Sequence, residues 1–375
     1  MSRSRFENDF LEIISGRNRE WFADLARIVL VICSVPYAVA SGFRNSLYHH
    51  GLLRPRSVAA PVISVGNLTT GGTGKTPAVA WLVHTLQAAG YSPGIVSRGY
   101  GTLDGAENDE KRMLDELCPG VPHEQDRNRW EAANRILERG QANVLVLDDG
   151  FQHRRLHRDL DIVLIDALNP WGYNALLPRG LLRETLSGLR RADIVLITRC
   201  ELSTSEQISE MIDRIRKFSD VPVLRTTFSA RRFVNSRGDT LSLSQALDKI
   251  GFAFCGIGNA DGFRRTLMAQ GIGLPEERFL QFPDHHHYSP EDLKRIVHQA
   301  TLQGSEVLFT TRKDLVKIRQ DRLENLPVWA LEIELKFIDP PDFLTGLLRT
   351  FVPSATAGNH EKQSVSSPGP EQHQA

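Results

Sequence analysis

The segment Gly66-Asn67-Leu68-Thr69-Thr70-Gly71-Gly72-Thr73-Gly74-Lys75-Thr76 concentrates residue types that bind phosphate. Glycines let consecutive backbone N–H groups turn toward phosphate oxygens, and a helix opening behind such a loop adds a favourable dipole. Lys75 is placed to reach the β- and γ-phosphates of a nucleotide, and the Thr76 hydroxyl to ligate Mg²⁺. Pro77 falls in the first helical turn, where its missing N–H costs little. One position departs from the strict phosphate-loop pattern: Thr69 stands where the first glycine is expected. Such a loop also needs an acidic metal partner at the end of a neighbouring strand. Val144-Leu145-Val146-Leu147-Asp148-Asp149 supplies it, an apolar run followed by two carboxylates. Successive residues leaving a strand point different ways, so one of the two is expected to face the metal, directly or through water.

A nucleotide site does not name a reaction. Three classes compete: a kinase acting on a small molecule or lipid, a GTPase-like switch, and an accessory or regulatory NTPase acting on a protein partner. The guanine-reading tetrapeptide Asn-Lys-x-Asp does not occur, and Thr311-Arg312-Lys313-Asp314 comes nearest with its lysine displaced. A metal-delivery protein should present Cys or His beside the nucleotide, and His153 with His157 is the local pair. The four cysteines have no short spacing, which argues against a disulfide framework and for a reducing compartment.

These groups need a scaffold. Short apolar runs at 61–65, 94–97, 143–147, 161–165 and 193–198 alternate with helical patterns. Continuous Val/Ile/Leu runs fit parallel strands covered on both faces, so a phosphate-loop NTPase-like, doubly wound, mostly parallel α/β sheet is expected over 61–225. Runs at 252–256, 278–282, 306–310 and 328–335 suggest a smaller C-terminal α/β unit over 226–352, with the inter-domain linker around 226–239. Residues 353–375 are rich in Ser, Pro, Gly, Gln and His without an aromatic, and read as a disordered tail. Residues 1–60 differ from the rest. Trp21, Phe22, Leu25, Ile28, Val29 and Ile32 recur at helical spacing, and no charge falls between Ile28 and Phe43. An amphipathic helix in a membrane surface, a buried core helix and a true span all remain open.

The whole-chain numbers bound the class. The 375 residues are 41% hydrophobic and 24% charged, enough to bury a large core. Lys plus Arg and Asp plus Glu are 45 each, which argues against a chain coated in basic charge for nucleic acid, although a local basic patch would survive that balance.

The motifs together resemble the tetraacyldisaccharide 4′-kinases of lipid A biosynthesis. The similar segments are 65–77, Val96-Ser97-Arg98-Gly99-Tyr100-Gly101, Asp148-Asp149-Gly150-Phe151-Gln152-His153, Gly172-Tyr173-Asn174, Leu182-Arg183-Glu184, Gly256-Ile257-Gly258-Asn259, Phe282-Pro283-Asp284-His285-His286 and Lys313-Asp314. Thr69 is also what that family shows. The resemblance implies transfer of the ATP γ-phosphate to the 4′-hydroxyl of a tetraacylated glucosamine disaccharide 1-phosphate, with Mg²⁺. It implies a peripheral, monotopic protein on the cytoplasmic face of the inner membrane, which favours the interfacial reading of the N-terminal helix. Neither nucleic acid nor an obligate protein partner is expected.

The resemblance also assigns roles. Asp109 would be the general base and Glu110 part of the metal shell with Thr76, Asp148 and Asp149, although the family's flanking Gly and Pro are Asn108 and Lys111 here. Without the resemblance, Asp109 and Glu110 are simply acids in the first turn of a helix. His285 would pair with Asp109 from the second unit, across a closing cleft. Asn174, Arg183 and Glu184 would contact the acceptor, with a surface pair between Arg183 and Glu184 as the plainer alternative. Arg129, with Arg127 as its rival, suits phosphate charge, and Gln152 and His153 follow the acid pair closely enough to approach the γ-phosphate or the sugar.

Overall fold

A computed structural model describes residues 10–99, 109–284 and 286–351; the side chain of Asp109 lies outside them, as do Tyr100–Asn108, His285 and the tail. The first part of the sheet is all parallel. It contains β1 (Val62–Asn67), β2 (Pro93–Ser97), β3 (His123–Gln125), β4 (Val144–Asp148), β5 (Leu160–Asp166), β6 (Ile194–Thr198) and β7 (Val223–Val234), in the order β7-β6-β5-β1-β4-β2-β3. Every residue of β1, β2, β4 and β6 is buried, which is why these strands read as mostly apolar runs without polar alternation.

Helix α1 (Trp21–His49) precedes the sheet, and α2 (Lys75–Ala88) leaves the end of β1. Ala78, Val79, Leu82, Val83 and Leu86 of α2 are buried against the sheet. Each larger side chain among them stabilises the fold by ~1.5–3 kcal/mol relative to exposure. Helices α3 (Asp109–Leu117), α4 (Arg129–Glu138) and α5 (Ser205–Arg216) follow.

The second part carries β8 (Thr240–Leu241), α6 (Leu243–Leu247), β9 (Gly251–Cys255), α7 (Ala260–Ala269), β10 (Phe279–Gln281), α8 (Pro290–Leu302), β11 (Val307–Thr311), α9 (Arg312–Ile318), β12 (Arg322–Leu323), β13 (Leu326–Phe337) and α10 (Asp342–Phe351). Ser289 starts α8 with a reciprocal capping box and Pro290 in the first turn. Strands β10, β9, β11 and β13 run parallel to one another, but β13 pairs antiparallel with β7.

Two sequence expectations change here. The stretch around 226–239, expected as a linker, is largely β7, which pairs with β6 through Val223–Arg225 and then with β13 from Thr226 to Val234. Its charged residues Arg225, Arg231 and Arg232 interrupt the apolar pattern, yet Arg225 pairs with Asp339, and Arg231 and Arg232 share Glu332. The chain also returns to the first part: Leu344 and Leu348 of α10 are buried in the cluster that holds Leu82 and Leu86. The β7–β13 ribbon displaces the two parallel sets along its length. Their C-terminal edges therefore face each other across a cleft, the place where parallel α/β sheets bind ligands.

Candidate active site

A cavity of about 580 Å³ lies in that cleft, lined by Gly71–Thr76, Glu110, Asp148, Asp149, Arg183 and Arg199 on one side, and by Asn259, Asp284, Thr311 and Lys313 on the other. The phosphate loop is held from beneath. Asn67, fully buried at the end of β1, donates from Nδ2 to Thr73 Oγ1 at 2.9 Å and accepts from Lys75 Nζ at 3.4 Å. Thr198 Oγ1 donates to the Thr73 carbonyl at 3.0 Å. Gly74 has φ 88, and a Cβ there would lie 2.2 Å from the Phe228 ring, so only glycine fits. Gly74 caps α2 without a side-chain hydrogen bond, leaving the helix N-terminus open toward the cavity.

Thr69 and Thr70 have another task. Thr69 forms an antiparallel bridge with Leu182, and Thr70 N–H donates to the Leu181 carbonyl at 2.8 Å. Thr69 is buried, so the missing glycine marks a β-bridge that stitches the loop to residues 181–182, and the cavity is lined from Gly71 onward.

Parallel pairing sets Asp148 level with Val65, at the mouth of the loop. Its carboxyl is pushed up to about 7 by burial, which Asp149 and Glu110 reinforce and Lys75 opposes. Asp148 Oδ1 is buried with no hydrogen-bond partner among the described residues. Such an orphaned carboxylate oxygen beside Thr76 and Glu110 suits a divalent cation. Asp149 differs. It has φ 51, a left-handed backbone of the kind found at functional sites, and both its oxygens accept from Arg183 Nη1 at 2.8 and 2.7 Å. Lys75 Nζ stands 3.6 Å away. Burial pushes the Asp149 carboxyl up, but Lys75 and Arg183 outweigh it and hold it below the usual carboxylate range.

A family profile described as tetraacyldisaccharide-1-P 4′-kinase matches residues 26–352. The chain belongs to that family. A tetraacyldisaccharide 4′-kinase of Halothermothrix orenii is 34% identical over 369 residues, covering 89% of this chain and 96% of the relative. One from Syntrophus aciditrophicus is 36% identical, covering 82% and 89%. Among solved structures, Aquifex aeolicus LpxK in complex with ATP is similar with a TM-score of 0.69 and 30% identity, covering 87% of this chain and 99% of that one.

Within this kinase-family frame the remaining expected residues separate. Glu110 lines the cavity from α3. Asp109 opens that helix with its side chain outside the described residues, and His285 lies outside them as well. Glu184 is 2% exposed and is bonded by Arg191 at 2.9 and 2.8 Å, by Gln152 at 3.0 Å and by Asn45 at 3.3 Å. It is no surface partner of Arg183. Gln152 also donates to the Asn67 carbonyl at 2.8 Å, tying this cluster to the phosphate loop. His153 meets Arg129 at 3.3 Å, and burial, with Arg129, Arg158, Arg155 and Arg44 around it, pulls its imidazole down to about 3. Asn174 has φ 57 and lines a smaller cavity of about 340 Å³ with Trp171, Tyr173 and Arg17, so the structure does not bring it to the main cleft beside Arg183.

Arg199 also reaches the phosphate loop. It sits with φ 59 just after β6, pairs with Asp166, donates to the Gly72 carbonyl at 2.7 Å and lies over Phe228 at 5.5 Å. No motif marks it; only its place at a strand end facing the loop could have drawn attention.

Proposed function

We propose that this chain transfers the γ-phosphoryl group of ATP to the 4′-hydroxyl of a tetraacylated glucosamine disaccharide 1-phosphate. The observation that carries this reading is the open N-terminus of α2 beside Lys75, Asp148 and Asp149 in a chain of this family. The bond from the acceptor oxygen to the γ-phosphorus forms, the bond from that phosphorus to the β–γ bridging oxygen breaks, and ADP leaves. Lys75 and the amides of Gly71–Thr76 hold the phosphates. Asp148, Thr76 and Glu110 would hold Mg²⁺, with Asp149 occupied by Arg183. A cation bound there neutralises charge on the transferring group. The acceptor proton passes to Asp109, which His285 orients; both roles rest on the family pattern.

Glu184 acts through Arg191 and Gln152 rather than on the acceptor itself. The outer side of α1 exposes Ile28, Ile32, Val35, Val39 and Phe43, which supports a place on a membrane surface; the cytoplasmic face of the inner membrane rests on the family pattern.

The test is product mass. Protein, Mg-ATP and detergent-dispersed disaccharide lipid should yield lipid with one added phosphate, and Lys75→Ala should yield none. ATP turnover that persists without lipid, with no phosphorylated lipid formed, would overturn the kinase reading in favour of an NTPase acting on a protein partner.

A further inference from the structure

Helix α1 has two sides with different partners. Ile28, Ile32, Val35, Val39 and Phe43 form an exposed apolar stripe, each at least 57% exposed. Ser34, Tyr37 and Asn45 face inward, at spacings that share one side of a helix. Apart from a bond from Ser34 Oγ to the Leu30 carbonyl within the helix at 2.9 Å, their side-chain hydrogen bonds end on one loop. Ser34 Oγ accepts from Arg179 N–H at 3.2 Å and donates to the Leu176 carbonyl at 3.1 Å. Tyr37 Oη donates to the Arg183 carbonyl at 2.7 Å, and Asn45 Nδ2 to Glu184 Oε2 at 3.3 Å.

Arg183 is therefore clamped twice along its backbone. Its N–H donates to the Leu68 carbonyl at 2.8 Å, next to the phosphate loop, while its carbonyl accepts from Tyr37. The guanidinium projects from this clamp onto both oxygens of Asp149. Asp149 has a second cation within reach, Lys75 at 3.6 Å. Arg183 satisfies Asp149 at close range, which leaves Lys75 loosely paired and available to phosphate. If Arg183 drifted, Asp149 would draw Lys75 toward itself, and the loss would fall on the transferring phosphoryl group. Burial raises the Tyr37 hydroxyl above its ordinary range despite Arg183 and Arg44, so it remains a donor at any working pH.

We propose that Tyr37, on the apolar-faced helix, is a positioning residue for phosphoryl transfer: it holds Arg183 on Asp149 and so couples the seating of α1 to the phosphate site. This rests on the kinase reading above.

The experiment uses full-length protein with phosphatidylglycerol vesicles carrying the disaccharide lipid, comparing wild type, Tyr37→Phe, Arg183→Ala and the double variant. Tyr37→Phe removes one hydroxyl and keeps the ring, and an unchanged melting temperature will verify the fold. The expected result is a fall in kcat of about tenfold, from one lost hydrogen bond transmitted to the site. KM for ATP should stay within about twofold, and the vesicle-bound fraction should not change. In the Arg183→Ala background, Tyr37→Phe should add nothing, because both act through one contact. Wild-type kcat in Tyr37→Phe, full additivity in the double variant, or a loss explained by reduced vesicle binding would each overturn the inference. Should Tyr37→Phe melt early, the double-variant comparison at a lower temperature decides, since a general loosening would add to Arg183→Ala. A wild type that adds no phosphate is a different failure, that of the kinase reading itself.

Discussion

The two walls of the cleft use the same local unit, a parallel strand whose C-terminal end feeds a helix, but they treat the helix start in opposite ways. On the phosphate-loop wall, α2 begins at Gly74 with no side chain to cap it. On the facing wall, α9 is capped by Thr311, which accepts from Asp314 N–H at 3.2 Å, and α7 by Asn259, which accepts from Gly262 N–H at 2.9 Å. Asp314 is itself fully buried and accepts from Gly256 N–H at 3.1 Å. A helix whose first amides are already bonded has little to offer an anion, whereas orphaned amides at α2 need one. The difference makes the phosphate-loop wall the one suited to an anion. It leaves the other to shape the cavity, with Lys313 paired to Asp284 at 3.2 Å and Arg312 reaching Glu116 of α3 at 3.2 Å across the cleft.

Three substitutions test that contrast, in order of expected effect. Gly74→Ala puts a Cβ into Phe228 at a left-handed backbone, displacing the open helix start. Misplacement of this kind costs on the order of hundredfold in kcat/KM. Nucleotide-induced stabilisation in a thermal melt should disappear with it, and retained stabilisation would mean that the open helix start is not where phosphate binds. Arg199→Ala removes the bond to the Gly72 carbonyl and the cover on Phe228 while sparing every group placed on the phosphates. KM for ATP is expected to rise about tenfold, with Arg199→Lys intermediate. An unchanged KM would show that the loop holds its shape through Asn67 and Thr198 alone. Thr311→Ala uncaps the facing helix. Stability should drop by about 1 kcal/mol in denaturant unfolding, with KM for ATP within about twofold. A large rise in KM would transfer part of the phosphate site to the second wall.

Much of the first wall was legible in the sequence. Asn67, Lys75, Thr76 and the Asp148-Asp149 pair lie in short motifs bounded by buried strands, and motif and strand are both local patterns. The role of Thr69 was not legible, because its partner Leu182 is distant in sequence. Nor was the burial of Glu184 beneath Arg191, since Leu182-Arg183-Glu184 reads equally well as surface. Strand β7 escaped because its arginines interrupt the apolar run and find their carboxylates far along the chain.

By itself the sequence determined the phosphate-loop motif with its lysine, the acid pair at the end of an apolar strand, the parallel α/β frame and the apolar character of α1. Spacing within ten or so residues decides such features, through backbone turns and strand or helix periodicity. Only the tertiary structure decided how the two carboxylates differ, with Asp148 Oδ1 lacking a hydrogen-bond partner among the described residues and Asp149 held by Arg183, and that Tyr37 bonds the Arg183 carbonyl and Arg199 the Gly72 carbonyl. Those choices depend on which distant groups arrive within hydrogen-bond reach, and that is set by strand order and by the β7–β13 reversal, not by any local pattern.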